Sequence, residues 1–291
     1  MPDPYATVNH SDQNFEREFA KTASSQSAVG ARLMGIVNVT PDSFSDGGLY
    51  LDPEAAVAHG RELIAEGADL LDVGGESTRP GAEAVDAAEE RRRVEPVVSG
   101  LAGAGAEISI DTSKAEVAEA ALDAGATIVN DVTALRADPE LAALAAERDA
   151  GLVLMHMQGT PRTMQEDPTY DDVVDDVKAF LAERLEFALD RGVAEERVWL
   201  DPGFGFGKTV EHNLELLRRL RELTDLGRPL VVGTSRKSFI GTISGAEVGE
   251  RLGGTVATCA IAYANGAEVL RVHDVREVAE GLKTAAAILG G

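Results

Sequence analysis

Eight short apolar runs recur along this 291-residue chain, at residues 33–37, 69–73, 107–110, 126–129, 152–155, 198–200, 229–232 and 268–272, and each runs into polar or charged residues. At or just beyond their ends stand Asn38, Glu76 with Arg79, Asp111, Asn130, His156, Asp201, Arg236 with Lys237, and Arg271 with His273. Helical spacing fills the intervals, over 53–66, 87–103, 114–124, 139–147, 170–191, 210–223, 250–265 and 274–289. Asp52 and Ser113 are placed to cap two of these helices, and glycines at 67, 125, 192 and 266 stand where helices should stop. Strict alternation of strand and helix implies parallel strands with right-handed crossovers. Eight such units favour a closed α/β barrel, the (β/α)8 or TIM barrel, over an open doubly wound sheet. In that barrel the C-terminal strand ends meet around one mouth, where catalysis takes place. Polar residues inside an apolar wall need a reason to be there.

A barrel takes about 250 residues, so the expected division is a flexible N-terminal extension over 1–30 and one barrel over 31–291. The extension is polar, without a repeating apolar face or the apolar core of a signal peptide. No run is long enough to cross a membrane. The net charge of −23 argues against nucleic acid and anionic membrane as partners. The only cysteine, Cys259, cannot form an internal disulfide, which fits a reducing, cytoplasmic location. Against so acidic a background local cations are informative, and Lys114, Lys208 and Lys237 are all predicted on the rim of the mouth.

The clusters differ in chemistry. NVTPDSFSDGG, from Asn38, is a turn-rich loop around Phe44 and Asp46 that is suited to closing over a substrate; Asn38 can offer an oxygen to Mg²⁺. GGESTRPG holds Thr78, Arg79 and Pro80, with Arg79 suited to phosphate. In SIDTSK, Asp111 reads as a ligand-binding carboxylate and Ser113 as a cap. Asn130 offers both a donor and an acceptor. Around His156 no metal-ligand spacing occurs, and Met155 and Met157 either pack a flat ring or fill core. LDPGFGFGKT imitates a phosphate-binding P-loop, but Pro202 stands where its first glycine should be. Asp201 there is suited to an aminopyrimidine edge, while Phe204 and Phe206 either wall a pocket or belong to the core. In GTSRKSF, Lys237 serves as a Schiff-base amine or as a donor to a ring carbonyl or phosphate, and Ser238 opens a helix. Arg271 and His273, two apart on a strand, share a face and suit pyrophosphate.

Together, NVTPDSFSDGG, GGESTRPG, IDTSK, VND, LDPGFGFGK, TSRKSF and RVHDV resemble the motifs of the dihydropteroate synthase family, from about Arg32 to Leu289. The resemblance implies a transferase of folate biosynthesis that condenses 6-hydroxymethyl-7,8-dihydropterin pyrophosphate with p-aminobenzoate. It places the pterin on Asp111, Asn130, Met155, Asp201 and Lys237. It places pyrophosphate on Asn38, Arg79, Arg271 and His273, with Mg²⁺ on Asn38, and p-aminobenzoate among Phe44, Thr78, Pro80, Phe206 and Ser238. Asp111, Lys237 and Asp46 take catalytic roles. It further implies a homodimer and inhibition by sulfonamides. The rival readings are a pterin-dependent methyltransferase, which has no need of the first loop or the RVH pair, a non-catalytic pterin-binding paralogue, and a Schiff-base aldolase.

Overall fold

A computed structural model describes residues 30–40, 52–78, 82 and 84–290. The predicted extension over 1–30 thus lies outside the described residues except for Gly30. Eight parallel strands form the barrel: β1 (Arg32–Asn38), β2 (Leu70–Gly74), β3 (Glu107–Asp111), β4 (Ile128–Asp131), β5 (Gly151–Met155), β6 (Val198–Asp201), β7 (Val231–Val232) and β8 (Val269–Val272). Their order around the sheet is β6-β5-β4-β3-β2-β1-β8-β7. The ring closes between its ends through a parallel bridge from Leu200 to Leu230, beside a Leu200 N–H donated to Pro229 O at 2.9 Å. This is the expected (β/α)8 barrel.

The helices are α1 (Pro53–Glu66), α2 (Ala87–Leu101), α3 (Ala115–Ala124), α4 (Glu140–Glu147), α5 (Val173–Leu189), α6 (Val210–Arg218), a short α7 (Ser238–Ser244), α8 (Leu252–Ala264) and α9 (Val275–Leu289). Asp52 caps α1 as expected, accepting from Glu54 N at 3.1 Å. Ser113 does not cap α3: Lys114 holds the cap position, and Asp138 reaches across to accept from Ala115 N at 2.8 Å. The helix predicted over 210–223 stops at Arg218 and continues as a tighter 3₁₀ turn, Leu220–Leu226.

Two parities of strand residue build two layers. Leu33, Val37, Leu71, Val73, Val129 and Leu200 face the helices in the main core. Met34, Leu70, Ile128, Val153, Trp199, Val231 and Val269, one from each of seven strands, form a separate buried cluster inside the barrel. Two residues further along those strands, on the same inward parity, come Ile36, Asp72, Asn130, Met155, Asp201, Gly233 and Arg271. The site therefore stands directly on an apolar plug.

Candidate active site

Arg271 is the centre of the inward polar storey. Its Nε donates to Asp72 Oδ2 at 2.6 Å and its Nη2 to Asp111 Oδ2 at 2.8 Å. Asn130 Nδ2 donates to the same Asp72 oxygen at 3.0 Å. Asp72 has no exposed surface, and its Oδ1 lacks a hydrogen-bond partner among the described residues, as does Oγ of Ser109, its cross-strand neighbour. Sequence reading missed Asp72 because it sits inside an apolar run, LLDVG. An acid flanked by leucine and valine on a barrel strand was the signal that could have found it.

Burial pushes the Asp111 carboxyl up to about 7, opposed by Arg271 and reinforced by Asp72. It likewise pushes Asp201 up to about 6, opposed by the Gly203 N–H that Asp201 accepts and by Lys237, Arg271 and Lys208. Burial alone would lower Arg271, but Asp72 and Asp111 hold its guanidinium above the ordinary value. The mouth thus sets two carboxylates with raised titration points around the Arg271 cation.

Two loops complete the wall. After β7 the chain turns sharply at Arg236, a non-glycine residue with φ of 57°. Such a conformation costs of order 1–3 kcal/mol and needs surroundings that enforce it. Here the Arg236 guanidinium grips Asp274 at 3.0 and 2.5 Å, its N–H donates to Thr255 Oγ1 at 3.0 Å, and its carbonyl accepts from Arg251 Nη1 at 3.0 Å. That turn delivers Lys237 and Ser238 to the mouth, and Lys237 Nζ lies 4.0 Å from the centroid of the Phe206 ring. Ser235 Oγ meets His273 Nδ1 at 3.0 Å and accepts from His273 N at 3.2 Å. After β6, Gly203 lies so close to β5 that an added Cβ would come within 1.9 Å of His156 O, and its φ of 69° already favours glycine.

A cavity of about 450 Å³ opens at the mouth, lined by Asn38, Thr78, Asp111, Phe206, Lys237, Ser238, Arg271 and His273 from the expected set. Asn130, Met155 and Asp201 do not line it; they are buried, at 4, 3 and 5 % exposure. Phe44, Asp46, Arg79 and Pro80 lie outside the described residues. Phe204 is core, at 1 % exposure. Two of the lysines predicted on the rim are committed elsewhere. Lys114 pairs with Glu76 and the buried Glu90, and Lys208 is buried among backbone carbonyls and His156.

Comparison with known proteins places this arrangement. The family model of pterin binding enzymes matches residues 34–273. The chain belongs to that family. Its curated relatives include the dihydropteroate synthase of Neisseria meningitidis serogroup B, 49 % identical over 258 residues, covering 87 % of this chain and 90 % of the relative. Among solved structures, the Yersinia pestis dihydropteroate synthase with a sulfonamide drug complex superposes with a TM-score of 0.88 at 42 % identity, covering 93 % of this chain and 99 % of that one. The Xanthomonas albilineans dihydropteroate synthase with 4-aminobenzoic acid gives a TM-score of 0.84 at 49 % identity, covering 90 and 94 %; the same enzyme has also been solved with 7,8-dihydropteroate. Within the pterin binding enzymes, then, the chain falls with the dihydropteroate synthases, which are transferases.

Proposed function

We propose that this site joins 6-hydroxymethyl-7,8-dihydropterin pyrophosphate to p-aminobenzoate, yielding 7,8-dihydropteroate and pyrophosphate. The observation that carries the reading is the acceptor-rich pair Asn130 and Asp201, buried beneath a cavity lined by Asp111, Arg271, His273 and Lys237. A planar aminopyrimidine presents N–H donors that ionised buried carboxylates accept. Asp201 gives one oxygen to Gly203 N at 2.7 Å, leaving the other for the ring. Met155 lies beside Asp201 in register, in place to pack against the ring. Lys237 is placed to donate to the ring carbonyl.

Above the ring, Arg271 and His273, with Arg79 from the second loop, take the pyrophosphate. Arg271 has five donors, so it can keep Asp72 through Nε while turning Nη groups to phosphate. Neutralising charge on the leaving oxygen favours departure first, in a dissociative step. The resulting pterin cation faces Asp111, assisted by Asp46. The arylamine then forms the C–N bond and loses a proton, and no covalent bond to the enzyme is needed. Thr78, Phe206 and Ser238, with Phe44 and Pro80, form the p-aminobenzoate site.

Mg²⁺ fits this site as a companion of the substrate. The Asn38 side chain lines the cavity with no hydrogen bond to a described residue, and no cluster of three or more acidic, histidine or cysteine ligands occurs among the described residues. Mg²⁺ prefers oxygen ligands, keeps several waters and is commonly held by few protein groups plus phosphates. Bound there on Asn38, it supplies charge neutralisation on the pyrophosphate.

Sulfonamides are proposed to compete with p-aminobenzoate for the same walls. A cytoplasmic homodimer is part of the same reading. Ile261 on α8 and Ile288 and Leu289 on α9 are 47, 79 and 59 % exposed, offering apolar faces for a second copy; no helix among the described residues is long and apolar enough to cross a membrane. The test is pyrophosphate release from the pterin pyrophosphate with and without p-aminobenzoate, repeated with Mg²⁺ chelated. Continuous release over many turnovers that requires both p-aminobenzoate and Mg²⁺ supports the proposal. Absence of release under every condition would leave a non-catalytic pterin binder.

A further inference from the structure

The loop after β6 is held by one buried amine. Lys208, 3 % exposed, lies between the loop and α6. Its Nζ contacts His156 Nδ1 at 2.9 Å, Gly203 O at 2.9 Å and Phe206 O at 3.1 Å. An ammonium has three hydrogens, so those three acceptors saturate it. Neither carbonyl is incidental. Phe206 is the residue whose ring lines the cavity and carries Lys237. Gly203 is held at both ends of its residue: its C=O accepts from Lys208, and its N–H donates to Asp201 Oδ1 at 2.7 Å. One amine is therefore a single glycine away from the buried carboxylate and a single carbonyl away from the aromatic wall.

We propose that Lys208 is a positioning residue for both halves of the reaction: it fixes Phe206 against the arylamine and Asp201 against the pterin while contacting neither substrate. The inference rests on the synthase reading above. A neutral apolar residue of equal length would take from the Phe206 carbonyl its Lys208 donor and leave the Gly203 carbonyl with the Phe206 N–H alone, at 3.1 Å, a loss that natural loops avoid.

A second consequence follows from charge. The groups facing Asp201 are Lys237, Arg271 and Lys208, all of which favour its ionised form against burial. Those facing Lys208 are Asp201, which favours its charge, and Lys237, which opposes it; burial is the larger influence and pulls Lys208 down to about 7. The adjacent His156 is kept neutral by burial and by Lys208, so its Nδ1 can accept. Removing the Lys208 cation leaves Asp201 harder to ionise, so acid should abolish pterin binding from a higher pH.

The experiment is Lys208→Met in the full chain, with folding checked by circular dichroism and thermal melting. The expected result is a KM for p-aminobenzoate raised ~10-fold or more, as displaced contacts produce in well-oriented sites. In addition, the acid limb of pterin binding, read by calorimetry with 6-hydroxymethylpterin, should shift upward by about half a pH unit or more. Unchanged KM and an unmoved acid limb would overturn the proposal. Should the methionine variant not fold, His156→Asn and His156→Leu replace it. Asparagine keeps an acceptor near the Nδ1 position for Lys208 and should retain the wild-type KM, whereas leucine should raise it. The same KM in both, high or low, overturns the proposal. Wild-type turnover in the same assay separates failure of this inference from failure of the synthase reading.

Discussion

The two ends of the barrel carry cavities of almost equal size, about 450 Å³ at the mouth and about 440 Å³ at the floor. Both are lined by arginine. At the floor, Arg32 meets Glu107 at 2.6 Å, Arg148 meets Asp123 at 2.5 Å and Arg197 meets Asp149 at 2.5 Å, and the acidic partners are 43, 62 and 71 % exposed. Trp199 seals the floor, with Arg32 over its ring at 5.6 Å. At the mouth, Arg271 meets Asp72 and Asp111, whose side chains are only 0 and 10 % exposed. Water reaches the acidic partner in each of these floor pairs, so the pairs are cheap and replaceable. The mouth buries its charges in one network with an orphaned carboxylate oxygen. Cavity volume therefore does not distinguish a site from a surface groove in this protein; buried charge held near its titration point does.

The largest effect expected from this contrast comes from Arg271→Ala. It leaves Asp72 and Asp111 buried without their cation, a kind of change that costs about 3–5 kcal/mol. Denaturant unfolding at pH 8 should show that loss, and pyrophosphate release should drop to background. Affinity for the pterin pyrophosphate should fall far more than affinity for the pterin alcohol. If unfolding changed by less than about 1 kcal/mol, the range of an exposed pair, the mouth would be no costlier than the floor and the contrast would collapse.

Next in size is Asp201→Asn. The amide replaces an all-acceptor group with one that also donates, so a pterin N–H loses its partner or meets a competing donor. Unpaired buried groups cost about 1–3 kcal/mol, and pterin binding should weaken at least about tenfold with the fold intact. Calorimetry showing unchanged pterin affinity would remove Asp201 from the pocket.

What the chain's sequence made legible follows from the same physics. The β/α alternation shows in apolar runs and stop glycines, because burial of strands on both faces leaves little room for polar residues. The runs end one or two residues early, at Val37, Val73, Ile110, Val129 and Leu200, whereas the strands reach Asn38, Gly74, Asp111, Asp131 and Asp201. Hydrophobicity stops at the mouth but the hydrogen-bonded ladder continues, so the polar strand ends are both site and strand. Lys114 follows β3 at the mouth as expected, whereas Lys208 is buried, and position along a strand–loop boundary does not reveal the groups that neutralise a cation from other elements: Glu76 and Glu90 for Lys114, loop carbonyls and His156 for Lys208. Asp72 was hidden for the opposite reason, since its surroundings in sequence are those of ordinary core.

A smaller effect is expected in the dependence of stability on pH. Asp111 and Asp201 have folded values near 7 and 6, above the ordinary carboxylate value of 3.8, so the folded state holds more protons between about 4 and 7 and stability falls as pH rises through that window. Lys208 sits near 7, below its ordinary 10.5, so the folded state holds fewer protons between about 7 and 10 and stability rises across that range. These three groups together should produce a shallow minimum near neutral pH, deepest without ligand. Denaturant midpoints at pH 5, 7 and 9 check it. A profile rising steadily from 5 to 7 would mean that other groups outweigh the mouth.

The smallest effect should come from the floor, and it is the sharpest control on the comparison. Glu107→Gln removes the carboxylate from Arg32 but leaves a side chain of the same shape, and Arg32 keeps its place over Trp199. Because Glu107 is 43 % exposed, the lost attraction is largely replaced by hydration, and exposed pairs of this kind are worth about 1 kcal/mol or less. In a chain of this size that corresponds to a melting shift of about 2–4 °C at most. Turnover and both KM values should not move, since the apolar plug of Met34, Leu70, Ile128, Val153, Trp199, Val231 and Val269 separates the floor from the mouth. The single tryptophan reports on the floor directly, so its emission should change in this variant and stay constant when pterin binds at the mouth. A large loss of activity in Glu107→Gln, or a pterin-dependent change in Trp199 emission, would show that the two ends communicate through the plug.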